Sequence, residues 1–241
     1  MARLLLMSSS RKAHLGYLEH AGKQFERLGV GDGDGFVLIP FASVDLSYDD
    51  VEANVAAAFA RFGLSVRGVH RSTDPVEAIR KASGIVVAGG NTFLLLKQIY
   101  ETGLFQPIRE RVASGVPYIG WSAGANIACP TIRTTNDMAV VVPPSVESFG
   151  FVPFQINPHF IAGKPEGYHL QDRQEKLREF LLLNPGQSVV ALPEGSALLC
   201  NGADGEVLGE NGAFHFTLDG VRAWPEGHRF RLDAVNPQPP G

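Results

Sequence analysis

The chain has 241 residues, of which 44% are hydrophobic and 19% are charged, and it carries a formal net charge of −4 at neutral pH. These values are ordinary for a soluble globular enzyme, and they give no support to a nucleic-acid-binding protein. No apolar stretch approaches the ~18 residues that a membrane span needs. Cys129 and Cys200 have no C-x-x-C spacing, so we expect two reduced thiols in a cytoplasmic protein.

Short apolar runs alternate with amphipathic stretches through the first half of the chain. The runs predict buried strands of a parallel sheet covered on both faces, at residues 4–7, 36–39, 64–69, 85–88 and 116–119. The first run is too short for the apolar core of a signal peptide. Three segments between the runs, beginning near residues 51, 75 and 92, predict helices from their apolar spacing and their starting residues.

The second half of the chain follows a different pattern. Residues 130–153 predict no helix, and long irregular connections of this kind are often functional. A helix is predicted at residues 173–183. Short runs broken by glycine and aspartate predict strands and hairpins that close the sheet, at residues 189–192, 197–199 and 214–218.

The whole pattern predicts an α/β fold. We expect a doubly wound, mostly parallel sheet with helices on both faces and with β hairpins at the C-terminal end. No linker divides the sequence, so residues 1–235 are predicted to form a single domain. The proline-rich residues 236–241 are predicted to be a disordered tail.

The strongest chemical signal is the sequence GWSAG at residues 120–124, a G-x-S-x-G motif. It lies between a predicted strand and a segment of small residues that can form a helix, which is the context of a nucleophile elbow. Such an elbow lifts Ser122 into solvent at a helix N-terminus, where the dipole favours developing negative charge. The alternative is a tight turn in which Ser122 only caps the helix, and the strand and helix context weighs against it.

A nucleophilic serine needs a base and a group that orients the base. Among seven histidines, His159 stands out because it follows a predicted strand and a proline that restricts the backbone. A hydrogen-bonded loop histidine without a catalytic role is the alternative. Asp137 in the irregular segment and Glu194 after a predicted strand both suit the orienting carboxylate, and the spacing does not choose between them.

Six blocks of the sequence carry a resemblance to a known family. They are IPFA at 39–42, GGNTF at 89–93, GWSAGAN at 120–126, ACPTIRTTNDM at 128–138, INPHF at 156–160 and LPEG at 192–195. Together they closely resemble the peptidase E family of α-aspartyl dipeptidases, in the family's order and over about residues 4–230. As a set they are far more specific than G-x-S-x-G alone.

The resemblance implies a fold related to the class I glutamine amidotransferases, with serine in the place of their cysteine. It implies hydrolysis of dipeptides with an N-terminal aspartate, without a metal or a cofactor. It assigns the nucleophile to Ser122 and the base to His159. The third residue of the family's catalytic triad corresponds to Asp137 or to Glu194, so that choice stays open. One departure is Ala88, where the family usually has a glycine, and we expect the oxyanion hole to survive it.

Two further sets of residues complete the expected site. Backbone N–H groups of Ala123 and of the turn at Gly89 and Gly90 are expected to form the oxyanion hole. Selectivity for an acidic substrate needs a cation, and arginine pairs with a carboxylate through two parallel hydrogen bonds. Arg173, which matches a family arginine, and Arg133, beside the elbow segment, are the candidates. The alternative for each is an ordinary surface arginine.

Other functions remain open from the sequence. The nearest is an exopeptidase of the same superfamily that acts on another aspartate-containing polymer, as cyanophycinases do. A non-catalytic amidotransferase-like binding module is a second, and an esterase is a third. The order Ser122, His159, Glu194 weighs against a lipase-like α/β-hydrolase. The expected partner is a small peptide substrate rather than a nucleic acid or a membrane, and we expect a monomer or a small homo-oligomer.

Overall fold

The computed structural model describes residues 2–30, 35–164, 167 and 169–236. The strands are β1 (Arg3–Met7), β2 (Gly35–Ile39), β3 (Ser65–Gly68), β4 (Gly84–Val87), β5 (Pro117–Trp121), β6 (Gln155–Asn157), β7 (Val189–Ala191), β8 (Ala197–Asn201), β9 (Asp204–Leu208), β10 (Ala213–Thr217), β11 (Gly220–Trp224) and β12 (Arg229–Arg231). The α-helices are α1 (Gly22–Leu28), α2 (Tyr48–Ala60), α3 (Pro75–Lys81), α4 (Thr92–Glu101), α5 (Phe105–Ala113), α6 (Ala123–Asn126) and α7 (Arg173–Leu183). None of the described helices is long and apolar enough to cross a membrane.

A large sheet runs through the centre of the fold, with eight described strands in the order β12-β9-β8-β1-β5-β4-β2-β3. Five neighbouring strands of this sheet are parallel, namely β1, β5, β4, β2 and β3. On the other side of β1, strands β8, β9 and β12 extend the sheet antiparallel. The predicted mostly parallel sheet is therefore confirmed, and its five predicted strands lie within two residues of the observed ends.

Helices cover both faces of this sheet because its strands are apolar on both faces. On β1, Leu4 and Leu6 join one core and Leu5 and Met7 join the other, as the two-residue period of a strand requires. Side chains of α3, α4 and α5 pack into the first core, and those of α1 and α2 pack into the second. The predicted doubly wound α/β arrangement is confirmed.

A second, smaller sheet has its described strands in the order β11-β10-β7-β6. Strands β6 and β7 are parallel, and β10 is antiparallel to β7 and to β11. Helix α7 packs beside it, since Leu177 and Leu181 share a core with Phe160 and Phe216. The prediction that all C-terminal strands close one sheet therefore differs from the structure. Apolar periodicity indicates that a segment is a strand but not which strand it pairs with.

The irregular segment and the end of the chain lie against the rest of the fold. Residues 127–154 contain no helix or strand apart from an isolated bridge between Thr131 and Glu147, as the sequence predicts for 130–153. Asn236, the first residue of the predicted tail, donates a hydrogen bond to Pro153 O at 2.7 Å and accepts one from Ser188 Oγ at 2.9 Å. The remainder of that tail lies outside the described residues.

The carboxyl ends of the parallel strands bring the residues of interest to one edge. In the large sheet, β4 leads into the Gly89–Gly90 turn and β5 leads into Ser122. In the small sheet, β6 leads to His159 and β7 leads to Glu194. In open α/β sheets, this edge is where ligands bind.

Candidate active site

Ser122 sits on a sharp turn between β5 and α6. Its backbone φ of 53° and ψ of −115° lie outside the regions that residues with a side chain ordinarily adopt. Two glycines allow the turn: a Cβ on Gly120 would lie 2.4 Å from Gly124 O, and a Cβ on Gly124 would lie 2.2 Å from Val87 O. The Ser122 N–H donates to Met7 O at 3.1 Å, which ties the turn to β1. The observed geometry is that of a strand–turn–helix elbow.

Ser122, His159 and Glu194 form a row of hydrogen bonds. His159 Nε2 lies 2.9 Å from Ser122 Oγ, and His159 Nδ1 lies 3.1 Å from Glu194 Oε1. Since an ionised carboxylate can only accept, Nδ1 carries the proton and donates it to Glu194. The unprotonated Nε2 then accepts from the Ser122 hydroxyl. In this tautomer the imidazole is able to remove the hydroxyl proton.

The His159 backbone is held as firmly as its side chain. Its φ of 52° is unusual for a residue other than glycine. The His159 N–H donates to Ser8 Oγ at 2.9 Å, and Ser8 Oγ donates to Leu192 O at 2.8 Å. The Phe160 N–H also donates to Leu192 O, at 2.9 Å. Ser8, at the end of β1, therefore connects the segment after β6 to the segment after β7.

The two carboxylates suggested by the sequence lie in different surroundings. Asp137 Oδ2 accepts from Thr92 N–H at 2.7 Å, from Thr92 Oγ1 at 2.6 Å and from Thr135 Oγ1 at 3.2 Å. These contacts hold Asp137 at the N-terminus of α4, and its described hydrogen bonds do not include His159. The structure thus brings Glu194, and not Asp137, to the histidine.

The three residues predicted for an oxyanion hole surround the elbow. Ala123 begins α6, where N–H groups of the first turn have no partner within the helix. A Cβ on Gly89 would lie 3.0 Å from Ser122 Cβ, so the glycine turn passes directly beside the serine. Gly90 has a φ of 145°, and a Cβ there would lie 2.2 Å from Ala42 O, so no larger residue fits. Backbone from two segments therefore lies next to the Ser122 side chain.

The two candidate arginines lie in different places. Arg173 begins α7, is half-buried, and its Nη1 has no hydrogen-bond partner among the described residues. Burial lowers the pKa of Arg173, and the charge of the nearby Asp137 acts in the opposite direction. Arg133 is exposed, and its Nη1 donates to Asn184 Oδ1 at 3.4 Å, just past the end of α7. Arg173 is therefore a cation near Asp137 whose Nη1 is unpaired within the described part of the chain, and Arg133 is a surface arginine.

A cavity of about 480 Å³ opens beside Ser122 and His159. It is also lined by the Gly89–Gly90 turn, by Arg11 and Tyr17 after β1, and by residues 43–46 after β2. Arg11 and Tyr17 are not among the residues that the sequence predicts, because neither belongs to a motif. The one available signal is their position shortly after the first predicted strand, at the edge where α/β sheets bind ligands.

One cluster of possible metal ligands lies outside this cavity. Oxygen or nitrogen atoms of Asp49, Glu52 and His70 lie within 4.8 Å of one another. Arg71 pairs with Asp49 at 3.0 Å and with Glu52 at 2.7 Å. Because this cation offsets the negative charge, it weakens the attraction of the cluster for a metal ion.

Comparison with known sequences gives one family. The profile of peptidase family S51 matches residues 4–208. The chain is 44% identical over 218 residues to "Peptidase E" of Pasteurella multocida (strain Pm70), which covers 90% of this chain and 93% of that protein. It is 44% identical over 229 residues to "Peptidase E" of Escherichia coli O6:K15:H31 (strain 536 / UPEC). This match covers 94% of this chain and 99% of that protein.

Solved structures give the same fold. The crystal structure of a putative peptidase E protein from Listeria monocytogenes EGD-e matches with a TM-score of 0.68 and 26% identity, over 87% of this chain and 98% of that chain. The crystal structure of a peptidase from an acI-B1 Actinobacterium matches with a TM-score of 0.69 and 21% identity, over 96% of this chain and 97% of that chain. At that identity, the second likeness concerns the fold alone.

Proposed function

The chain belongs to peptidase family S51 and is a peptidase, and we propose that it is a serine dipeptidase that hydrolyses dipeptides with an N-terminal aspartate. One observation carries the proposal: the hydrogen-bonded row of Ser122, His159 and Glu194 stands beside an open cavity. A serine with a base that is itself oriented by a carboxylate is the arrangement that acyl transfer needs.

The proposed reaction proceeds through an acyl-enzyme. Ser122 Oγ attacks the scissile carbonyl carbon while His159 Nε2 takes the hydroxyl proton. Glu194 keeps the imidazole oriented and stabilises the imidazolium. Backbone N–H groups of Ala123 and of the glycine turn stabilise the negative charge on the carbonyl oxygen. His159 then protonates the leaving amine, and afterwards it removes a proton from the water that hydrolyses the ester.

Arg173 is proposed to bind the side-chain carboxylate of the substrate aspartate. Its buried Nη1 without a partner supports this role, because an unpaired buried donor costs about 1–3 kcal/mol that a carboxylate would relieve. Asparagine offers one acceptor and an amine that faces the guanidinium, so discrimination of about 10²-fold or more is expected. Glutamate is one methylene longer and misplaces the scissile bond, which lowers kcat.

A panel of dipeptides tests the proposal. We expect the kcat/KM of Asp-Leu to exceed that of Asn-Leu, Glu-Leu and Ala-Leu by about 10²-fold or more. N-acetyl-Asp-Leu should be a poor substrate because its amine is blocked. Arg173→Gln should reduce the Asp-Leu to Asn-Leu ratio more than it slows Asn-Leu. Cleavage of Ala-Leu as fast as Asp-Leu would contradict the aspartyl specificity.

A cytoplasmic location is also proposed. Cys129 and Cys200 are both buried and free, and free thiols are typical of a reducing compartment. Burial raises the pKa of Cys200 to about 12 and also raises the pKa of Cys129, so both thiols stay protonated and unreactive. Cell fractionation against cytoplasmic and secreted marker proteins checks the location, and recovery with the secreted markers would contradict it.

A further inference from the structure

Arg11 is a cation without a carboxylate partner in the cavity beside the nucleophile. It lines this cavity together with Ser122, His159 and the Gly89–Gly90 turn. Its side chain is exposed, its guanidinium forms no ion pair with the described carboxylates, and it lies over the ring of Tyr17, whose centroid is 6.0 Å from Arg11 Cζ. Arg173, the cation proposed to bind the substrate aspartate, does not line this cavity. Arg11 is therefore the cation next to the nucleophile's cavity, and Arg173 is a separate cation near Asp137.

The surroundings hold Arg11 in position. Ser9 Oγ donates to Arg11 O at 2.5 Å, which fixes the backbone. The Tyr17 ring meets Trp121 edge-on, with centroids 6.2 Å apart, and the Arg61 guanidinium donates to Tyr17 O. Burial raises the pKa of Tyr17 to about 12, so the phenol stays neutral and does not repel an anion. The exposed Arg11 guanidinium thus lies over an uncharged ring that has contacts of its own, and its backbone is fixed by Ser9.

The loop after β2 gives the cavity an acidic residue and two apolar ones. Asp45 lies on the loop after β2 and is the one acidic side chain among the described residues that line the cavity. An anion is disfavoured near Asp45, so the preferred place for an anion is beside Arg11. Val44 and Leu46 on the same loop are exposed and offer apolar surface. The cavity lining therefore combines a cation with apolar side chains.

A dipeptide with N-terminal aspartate carries two carboxylates, one on the aspartate side chain and one at its C-terminus. We propose that Arg11 binds the C-terminal carboxylate of the dipeptide and is a specificity-determining residue for the leaving amino acid. This inference rests on the proposed dipeptidase function. A peptide that continues beyond the second residue has an uncharged amide at this position, so Arg11 favours dipeptides over longer peptides. Val44 and Leu46 favour an apolar leaving side chain.

The test compares Asp-Leu with its C-terminal amide, Asp-Leu-NH2, in the wild type and in Arg11→Gln. Because Arg11 is exposed and solvent screens its charge, we expect the pair to contribute roughly 2- to 5-fold in kcat/KM. The wild type should prefer Asp-Leu over the amide by that factor, mainly through KM. In Arg11→Gln the kcat/KM of Asp-Leu should fall until the ratio of the two substrates approaches one.

Arg109→Gln is the matched control. Arg109 also lies over an aromatic ring, with its Cζ 5.8 Å from the centroid of Phe105, and it does not line the cavity. Its loss removes the same charge and should leave the substrate ratio unchanged. Equal rates for Asp-Leu and its amide in the wild type would overturn the role of Arg11. A parallel loss of both substrates in Arg11→Gln would also overturn it, because a purely structural residue affects both alike.

A third substrate separates this inference from the proposed function. Aspartyl 4-nitroanilide keeps the N-terminal aspartate but has no carboxylate on its leaving group. If the wild type cleaves the anilide and the Asp-Leu ratio does not depend on Arg11, the Arg11 assignment alone is wrong. If no substrate with an N-terminal aspartate is cleaved, the proposed dipeptidase function is wrong.

Discussion

At the scale of single residues, Ser122 and His159 share an unusual backbone. Their φ angles are 53° and 52°, in a region that residues with a side chain rarely adopt. Strain of this kind persists where surrounding contacts fix the conformation. Here the Ser122 N–H is bonded to Met7 O, and the His159 N–H is bonded to Ser8 Oγ. The end of β1 therefore anchors both members of the proposed reacting pair.

Ser122→Ala should abolish nearly all peptidase activity without unfolding the protein. Alanine retains the Cβ and the backbone bond to Met7, so the elbow keeps its contacts, while the proposed nucleophile is lost. Loss of a triad serine typically costs roughly 10³- to 10⁶-fold. The measurement is kcat/KM for Asp-Leu together with the Tm. Activity within tenfold of the wild type would remove Ser122 from the mechanism.

Glu194→Gln and Asp137→Asn should have different kinetic effects. Glutamine at 194 removes the charge that stabilises the His159 imidazolium, so kcat should fall by about 10²- to 10⁴-fold. Asparagine at 137 weakens the hydrogen bonds to Thr92 and removes the negative charge near Arg173, so we expect a lower Tm and a changed KM with a smaller loss of kcat. Both variants are compared by kcat, KM and Tm. If Asp137→Asn stays folded and is the only one of the two variants to lose catalysis, Asp137 and not Glu194 orients His159.

The sequence predicts part of this site. Ser122 and His159 follow from motifs that sit at predicted strand ends, and the structure joins them by a hydrogen bond. The spacing leaves both Asp137 and Glu194 as candidates, with a slight preference for Glu194 because a residue at a strand end is held more rigidly than one in a long loop. The choice depends on distant partners that the sequence does not show. Arg11 belongs to no motif, and its place beside Ser122 depends on the pairing of β1 with β5, which brings distant segments together.

At the scale of elements, the local sequence pattern predicts where helices begin and end better than it predicts which strands pair with each other. Helix α7 is predicted at its observed bounds from its apolar spacing, and the structure shows that Asp172 and Glu175 form a reciprocal capping box at its start. Helix α3 begins after the Asp74 cap with Pro75 in its first turn. The pairing of β7 with β6 and β10, rather than with the large sheet, depends on contacts across many residues and has no local signal.

Gly124→Ala should disrupt the elbow. A Cβ at this position would lie 2.2 Å from Val87 O, and backbone cannot give way as a flexible side chain can. We expect a loss of more than about 2 kcal/mol in the free energy of unfolding, because overpacking forces the backbone to move. Gly186→Ala is the control, since a Cβ there meets nothing within 4 Å and should change stability by less than about 0.5 kcal/mol. Equal Tm values for the two variants would contradict the tight approach of α6 to β4.

At the scale of the whole molecule, the site forms where two sheets meet. Ser122 comes from the large sheet, and His159 and Glu194 come from the small one. The relative position of the sheets therefore determines the distance between the serine and its base. Ser8 lies at this junction, fully buried, and bonds both to the His159 backbone and to Leu192.

Ser8→Ala should affect both stability and catalysis. It removes the acceptor of the His159 N–H, and a buried donor left unpaired costs about 1–3 kcal/mol. Leu192 O loses its bond from Ser8 Oγ but keeps the one from the Phe160 N–H. A loss of this size lowers the Tm by several degrees, since about 1 kcal/mol corresponds to about 2–4 °C for a domain of similar size. The kcat for Asp-Leu should fall as well, because His159 is no longer fixed relative to Ser122.

Ser196→Ala is the matched comparison for this junction. Ser196 is also buried, and its backbone carbonyl accepts the Ser8 N–H at 2.9 Å. Its hydroxyl has no hydrogen-bond partner among the described residues, so alanine removes an unsatisfied polar group and keeps the backbone bond. We therefore expect an unchanged or higher Tm and normal kcat for Ser196→Ala. Equal losses in the two serine variants would mean that burial of the hydroxyl, and not the connection through Ser8, determines the effect.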